Sequence, residues 1–406
     1  MNNFLKSNLH KILNEVTKFD YPTDKYLSLF FKKNKKFGKK DRLFLSEIVF
    51  FYLRNKRLID YYDSKEHTSD NKINHLINFF ENFEKSNGIQ FFYSLNKKEK
   101  IPIDLLFSVP GWLFDKLRKD FNESFAIKFS EFSVLRSNLT LRTNNLKISR
   151  DNLINKFEKL KIKASKTQYS PHGISVQTNI NLRKTDLYNL GLFEFQDEGS
   201  QLIANLVNAN SKCTIVDFCA GAGGKTLSIS LSMRGRGRVY AFDISEKKLL
   251  RLRERLNRLQ LSNVITETLS QTNNRRIKRL WGKVDKVLVD APCMGFGTVR
   301  RNPDLLWKYN EENLATITKD QFEILSQASR LVKPNGELIY ATCSILKEEN
   351  EDIINRFIKA NKEFKIKEMD YFFEKSKINE KSNFLKTFPN YDQMDGFFGA
   401  ILVKAI

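Results

Sequence analysis

Thr214–Thr226 reads TIVDFCAGAGGKT, and Arg238–Asp243 reads RVYAFD. The first stretch is a β-branched run that ends on Asp217 and opens into glycines. The second is another strand-like run that ends on an acid, Asp243, 26 residues after Asp217. A strand that enters a Gly-rich turn and then a helix opens a β-α-β unit. Gly221, Gly223 and Gly224 let the backbone approach a ligand closely, and the helix that follows offers free N–H groups at its start. An acid at the end of the next strand suits a bidentate bond to ribose hydroxyls.

Working outward, Asp285–Asp290 (DKVLVD) and Glu337–Thr342 (ELIYAT) read as further buried strands, with a Pro334-Asn335-Gly336 turn expected to open the second. Strands alternating with helices imply a mostly parallel sheet with right-handed crossovers, whose ligands bind beyond the carboxyl ends of the strands. This α/β pattern begins near residue 195. Upstream, residues 136–194 read as a small α/β piece with strands at Leu139–Thr143 and Ile174–Gln177 and a short helix at Asn152–Leu160. The first 135 residues read as helical: Leu9, Ile12, Leu13 and Val16 recur at helical spacing, Leu43–Tyr62 is apolar-rich, 72–96 is helical, and Val109–Phe121 starts with Pro110.

Three ligands compete for the Gly-rich turn. A P-loop needs a glycine five residues before Gly224, and that position is Cys219. A dinucleotide fingerprint counted from Gly221 ends on Thr226 instead of glycine. An S-adenosylmethionine site fits, because it needs a short Gly-rich turn and a ribose-binding acid without a pyrophosphate. A strand–turn–helix corner with no ligand also stays open on this loop alone.

Composition narrows the partner. Lys plus Arg number 69 against 47 Asp plus Glu, a net charge of +22. Such an excess attracts polyanions. An AT-rich genome also enriches lysine, as in Phe31–Lys40 (FKKNKKFGKK), but arginine clusters as well, at Arg234–Arg238 and Arg275–Arg279. No run of about 18 apolar residues predicts a membrane span, and Met1–Glu15 lacks the apolar region of a signal peptide. The four cysteines, Cys213, Cys219, Cys293 and Cys343, form no CxxC pair, so neither a zinc site nor a thioredoxin-type motif is indicated; so few in a long chain make no disulfide framework, and a reducing cytoplasm fits.

Two of these cysteines end strands. Asp290–Gly297 reads DAPCMGFG and Ala341–Ser344 reads ATCS, which places Cys293 and Cys343 50 residues apart. Neighbouring strands would bring both thiols to one cleft. Carbon 5 of cytosine is a poor nucleophile. A thiolate that adds to carbon 6 turns the ring into an enamine-like nucleophile at carbon 5, which splits one hard step into easier ones. Asp290 could hydrogen-bond the ring at N3 or the amino group, and Cys293 could assist proton removal and release. A lone cysteine is more often a small buried apolar group, the reading preferred for Cys213 and Cys219.

With these motifs in place, the sequence resembles the RNA (cytosine-5) methyltransferase family of the RsmB/NSUN type. The likeness rests on DFCAGAGGKT at 217–226, AFDIS at 241–245, DAPCMGFGTVRRNPDLLW at 290–307, YATCSILKEENE at 340–351, DGFFGAILVK at 395–404, FEFQDEGSQL at 193–202 and LRTNNLK at 141–147. The resemblance implies a Rossmann-like class I methyltransferase domain over 195–406, with Cys343 as nucleophile and Cys293 aiding release. The S-adenosylmethionine would be held by Cys219, Ala220, Gly221, Ala222, Gly223, Gly224 and Lys225 with Asp243 and Asp290. Arg301, Asp304 and Trp307 would shape the substrate side, although plain capping and packing suits Asp304. Residues 1–135 resemble a NusB-like helical RNA-binding domain through RLFLSEIVFFYLRNKRLIDYY and SVPGWLFDKL, followed by a small α+β subdomain at 136–194. The expected partner is 16S rRNA or a small-subunit assembly intermediate, met by a cytoplasmic monomer without a metal. A tRNA cytosine-5 methyltransferase and a non-catalytic RNA-binding assembly factor are the alternatives. Two positions depart from the pattern: Ala222 stands where the family has proline, and no Asp follows the third strand, leaving Ser270 as the candidate on the adenine side.

Overall fold

A computed structural model describes residues 3–65, 71–86, 88–178, 180–269, 275–376, 378 and 382–406. The chain divides into two compact units, Met1–Ser137 with Thr298–Asn313, and Asn138–Gly297 with Leu314–Ile406. No described helix is long and apolar enough to cross a membrane.

The first unit is helical. Leu9, Ile12, Leu13 and Val16 form the buried stripe of Asn3–Val16 and pack with Leu45, Ile48, Val49 and Tyr52 of Lys39–Arg54. Phenylalanine rings close this core, with Phe51 centred 5.3 Å from Phe80 and 5.2 Å from Phe83. The apolar stretch 43–62 is broken at Asn55, whose backbone leaves helical geometry between Lys39–Arg54 and Lys56–Lys65. The helical region 72–96 also divides, into Asn71–Lys85 and Ile89–Glu99, because Gly88 takes φ +70, where only glycine is unstrained. Residues 298–313 belong to this unit through hydrogen bonds from Trp307 Nε1 to Leu53 O (2.7 Å), Arg54 to Arg300 O (3.0 Å) and Thr23 N to Asp304 Oδ2 (3.3 Å).

The second unit holds two sheets. The smaller comprises β1 (Leu139–Thr143), β2 (Lys163–Lys166), β3 (Gly173–Gln177) and β4 (Phe193–Phe195) in the order β2-β3-β1-β4, all antiparallel. The helix Arg150–Lys159, capped by Ser149, covers it with Leu153 and Phe157. The larger sheet comprises β5 (Thr214–Asp217), β6 (Arg238–Asp243), β7 (Val264–Thr268), β8 (Val284–Asp290), β9 (Val332–Thr342), β10 (Phe364–Ile366), β11 (Leu385–Thr387) and β12 (Phe397–Lys404). Its order is β10-β12-β9-β8-β5-β6-β7, with β11 on β12. β9, β8, β5, β6 and β7 run parallel, and β12 enters antiparallel beside β9. This is the Rossmann-like architecture expected, with helices over both faces of a largely apolar centre.

One local expectation changes. Pro334-Asn335-Gly336 does not precede β9 but bulges within it: Val332 pairs with Val284 and Glu337 with Lys286, and Asn335 takes φ +58. The extra residues are accommodated by asparagine and glycine without ending the ladder.

Candidate active site

From β5 the chain passes into β6 on one side, whereas β8 lies on the other, so the sheet reverses its winding between β5 and β8. That switch point is where an open α/β sheet leaves a crevice. At it, Ala220 N donates to Phe242 O (2.8 Å) and Gly223 N to Ala220 O (2.9 Å), curling the loop back before the helix Gly224–Ser232. Gly223 sits at φ +85 with Leu252 where a Cβ would be, 2.1 Å away. Gly221, at φ +56, meets nothing within 4 Å in the same direction. The first glycine is therefore demanded by packing, and the second leaves open space for a ligand. Asp243 braces the loop, accepting from Gly221 N and Ser245 N, each at 2.8 Å. Asp217 accepts from Thr226 Oγ1 at 2.6 Å through Oδ2, while its buried Oδ1 has no partner. Burial pushes the Asp217 carboxyl up to about 7, against the Thr226 bond. From the smaller sheet, buried Arg142 donates to Gly224 O (2.9 Å) and to Gln196, and burial lowers its guanidinium to about 9.

The thiols lie on the neighbouring strand ends. β8 and β9 pair in register to Asp290 opposite Ala341, and Ala291 N donates to Ala341 O at 2.8 Å. Two residues further on each strand, Cys293 Sγ and Cys343 Sγ stand 3.3 Å apart as free thiols. The hydrogen bond to Cys343, helped by burial, holds Cys293 well above the ordinary thiol value, so it keeps its proton. Gly297 N donates to Cys343 O (2.9 Å) and Gly396 N to Gly297 O (2.8 Å), which ties in the turn before β12. Lys225 links the two ends of the crevice. Its Nζ donates to Asp290 Oδ2 at 2.6 Å and lies 5.1 Å from the centre of the Phe397 ring. Burial disfavours the ammonium, but Asp290 outweighs it and holds Lys225 above its ordinary value. Among the described residues no His, Cys, Asp and Glu group could hold a metal ion.

Residues 204–403 match the model of the 16S rRNA methyltransferase RsmB/F family, and residues 109–183 match a ferredoxin-like domain of RsmF/B-like methyltransferases. Two relatives are named probable ribosomal RNA small subunit methyltransferase B. The one from Bacillus subtilis is 30% identical over 72% of this chain and 65% of its own length; the one from Synechocystis is 30% identical over 76% and 69%. The chain belongs to the RsmB/F family. It spans about two thirds of the length of these relatives. A crystal structure of the protein PH0851 shares the fold over 98% of both chains, with a TM-score of 0.79 and 23% identity.

In this RsmB/F chain the residues singled out by sequence divide between the units. Cys219 to Lys225, Asp243, Asp290, Cys293 and Cys343 all belong to the second unit. Arg301, Asp304 and Trp307 belong to the first, where Asp304 and Trp307 make the bonds to Thr23 and Leu53 given above. Ser270 lies outside the described residues. Cys213 is buried in the core, and burial holds the Cys219 thiol far above its ordinary value, so Cys219 is not a reactive thiolate. Sequence reasoning missed Arg142, Gln321 and Glu349. Arg142 lay within a quoted motif, LRTNNLK, and Glu349 within YATCSILKEENE, but nothing about either residue in isolation points to burial.

Proposed function

We propose that this chain transfers a methyl group from S-adenosylmethionine to carbon 5 of a cytosine in RNA, with 16S rRNA as substrate. The observation that carries this reading is the pair of thiols 3.3 Å apart at the ends of adjacent strands, beside a glycine loop with room for a ligand. The loop suits the methyl donor on its own terms. Gly221 leaves a cradle, and Asp243 ends β6 at the loop and accepts from Gly221 N. Cys219 to Lys225, Asp243 and Asp290 would hold the molecule, which when bound supplies an electrophilic methyl group.

The remaining chemistry belongs to side chains of the protein. Cys343 Sγ adds to carbon 6 of the base and makes carbon 5 nucleophilic. The Asp290 carboxylate, held through Oδ2 by Lys225, accepts a hydrogen bond from the amino group of the adduct. Water takes the proton from carbon 5, the C5–H electron pair re-forms the C5–C6 double bond, and Cys343 departs as the thiolate. Cys293, which retains its proton, donates to the leaving sulfur from 3.3 Å. The target base must leave its stack, at a cost of roughly a few kcal/mol that a loop cytosine reduces. The net charge of +22 supplies the phosphate attraction.

The deciding experiment incubates the protein with methyl-labelled S-adenosylmethionine and, in parallel, naked 16S rRNA, 30S particles and total tRNA. Label recovered as 5-methylcytidine in rRNA is the expected result. Label in tRNA alone would transfer the chemistry to a different RNA. Cofactor binding with no label in any RNA would overturn the enzymatic reading.

A further inference from the structure

One buried carboxylate touches both cysteine loops. Glu349, in the turn Lys347–Glu349 after β9, is fully buried. Its Oε1 accepts from the backbone N–H of Met294, the residue after Cys293, at 2.9 Å. Its Oε2 accepts from the hydroxyl of Ser344, the residue after Cys343. Gln321 Nε2 donates to the same Oε1 at 3.0 Å and to Pro292 O, the residue before Cys293, at 2.9 Å. The turn itself is anchored: Tyr340 Oη donates to Glu349 O (2.7 Å), and Asn350 joins Thr342 (2.6 Å) and Ser344 O (3.1 Å). The loops come from different strands, so β-ladder hydrogen bonds fix their roots but not their tips. Beyond Ala291 and Ala341 the β8–β9 ladder has ended, Thr342 pairs with Phe398 of β12, and Gly297 N to Cys343 O (2.9 Å) is the backbone bond that joins the two loops.

We propose that Glu349 is a positioning residue that sets the distance between Cys293 and Cys343, holding each loop by one carboxylate oxygen. The proposal rests on the methyl-transfer reading only for its functional consequence; the geometry stands apart from it. A carboxylate suits this place because each of its oxygens accepts and neither donates, which matches three converging donors. Burial outweighs the three hydrogen bonds and holds the Glu349 carboxyl above its ordinary value, while those bonds pull the other way. Gln321 and the proline carbonyl it holds form the second layer of the same clamp.

The test has a chemical arm that needs no RNA. Diamide takes two hydrogens and two electrons from a thiol pair, forming an S–S bond and the corresponding hydrazine, at a rate that depends on how closely the sulfurs are held. In the native protein we expect rapid closure of a Cys293–Cys343 disulfide, identified by mass spectrometry of the digest. Glu349→Ala should close it at least ~10-fold more slowly and lower kcat for methyl transfer by about 100-fold with KM for RNA nearly unchanged, the scale expected for an ångström of misplacement. Glu349→Gln, which keeps an acceptor for Met294 and Gln321, should restore most of both. Should Glu349→Ala fail to fold, as judged by circular dichroism, Ser344→Ala releases one arm only and should slow disulfide closure by a smaller factor. Native closure rates in the folded Ala variant, or in Ser344→Ala when only that variant folds, would overturn the clamp. Native protein that closes the disulfide but methylates no RNA would instead refute the proposed function and leave the clamp standing.

Discussion

The two ends of the crevice are built in opposite ways. The glycine-loop end is made mostly from consecutive residues, Asp217 to Thr226, braced by Phe242 and Asp243 of the next strand and by Arg142 of the smaller sheet. The thiol end is assembled from stretches far apart in the chain: 290–297, 341–350, Gln321 and Gly396. The first end needs backbone conformations, which glycine supplies locally. The second needs a distance between two side chains, which only contacts across the fold can set. Lys225 and Asp290 are the one ion pair joining the ends among the described bonds.

The largest effect should come at the thiol end. Cys343→Ala removes the nucleophile itself, and methyl transfer should fall by roughly 10⁴-fold or more while cofactor binding persists. Isothermal titration beside a label-transfer assay separates the two, and turnover at the native rate would break the proposed division of labour.

Cutting the joint should affect both ends. Lys225→Met leaves Asp290 without its partner and places an apolar chain in a site where the lysine is almost fully covered, so a loss of about 3 kcal/mol is expected. The midpoint of urea unfolding measures it, and a weaker grip on S-adenosylmethionine should accompany it.

The loop end can be probed through pH. Asp217 has its carboxyl pushed up to about 7 by burial, so the folded chain holds this proton more tightly than the unfolded chain does. Its contribution to stability is therefore fully present below pH ~4 and is lost as pH rises towards 7, by at most about 4 kcal/mol. Asp217→Asn should flatten that part of the stability profile. An unchanged slope would show that Asp217 is charged in the folded state.

The smallest effects distinguish the two glycines. Gly223→Ala meets both the positive φ and the Leu252 side chain, and should cost about 2–3 kcal/mol. Gly221→Ala meets only the backbone strain, about 1 kcal/mol, because nothing occupies the space beside it. Its consequence should fall on cofactor affinity. If both substitutions changed stability alike and affinity not at all, the cradle reading of Gly221 would fail.

The alternation that folds into the large sheet is legible from residue order alone, because buried parallel strands are continuous apolar runs and their ends are marked by glycine, proline or acid. Ile215, Val239, Val287 and Leu338 are legible in this way, and so are Gly221, Gly223, Asp243 and the cysteines that follow β8 and β9. β12 was legible only as a motif, since its antiparallel entry beside β9 is a choice of partner, and partners are not written in local periodicity. The breaks at Asn55 and Gly88 were missed for a related reason: the apolar pattern continues across them, and the turn is set by how the helices pack. Folding alone brings Arg142 to the carbonyl of Gly224 across 82 residues, and Glu349 to Met294 across 55. A glutamate or arginine reads as surface when judged by residue type alone. Burial becomes tolerable only when several donors or acceptors from distant segments converge on it, and that convergence exists nowhere but in the folded chain.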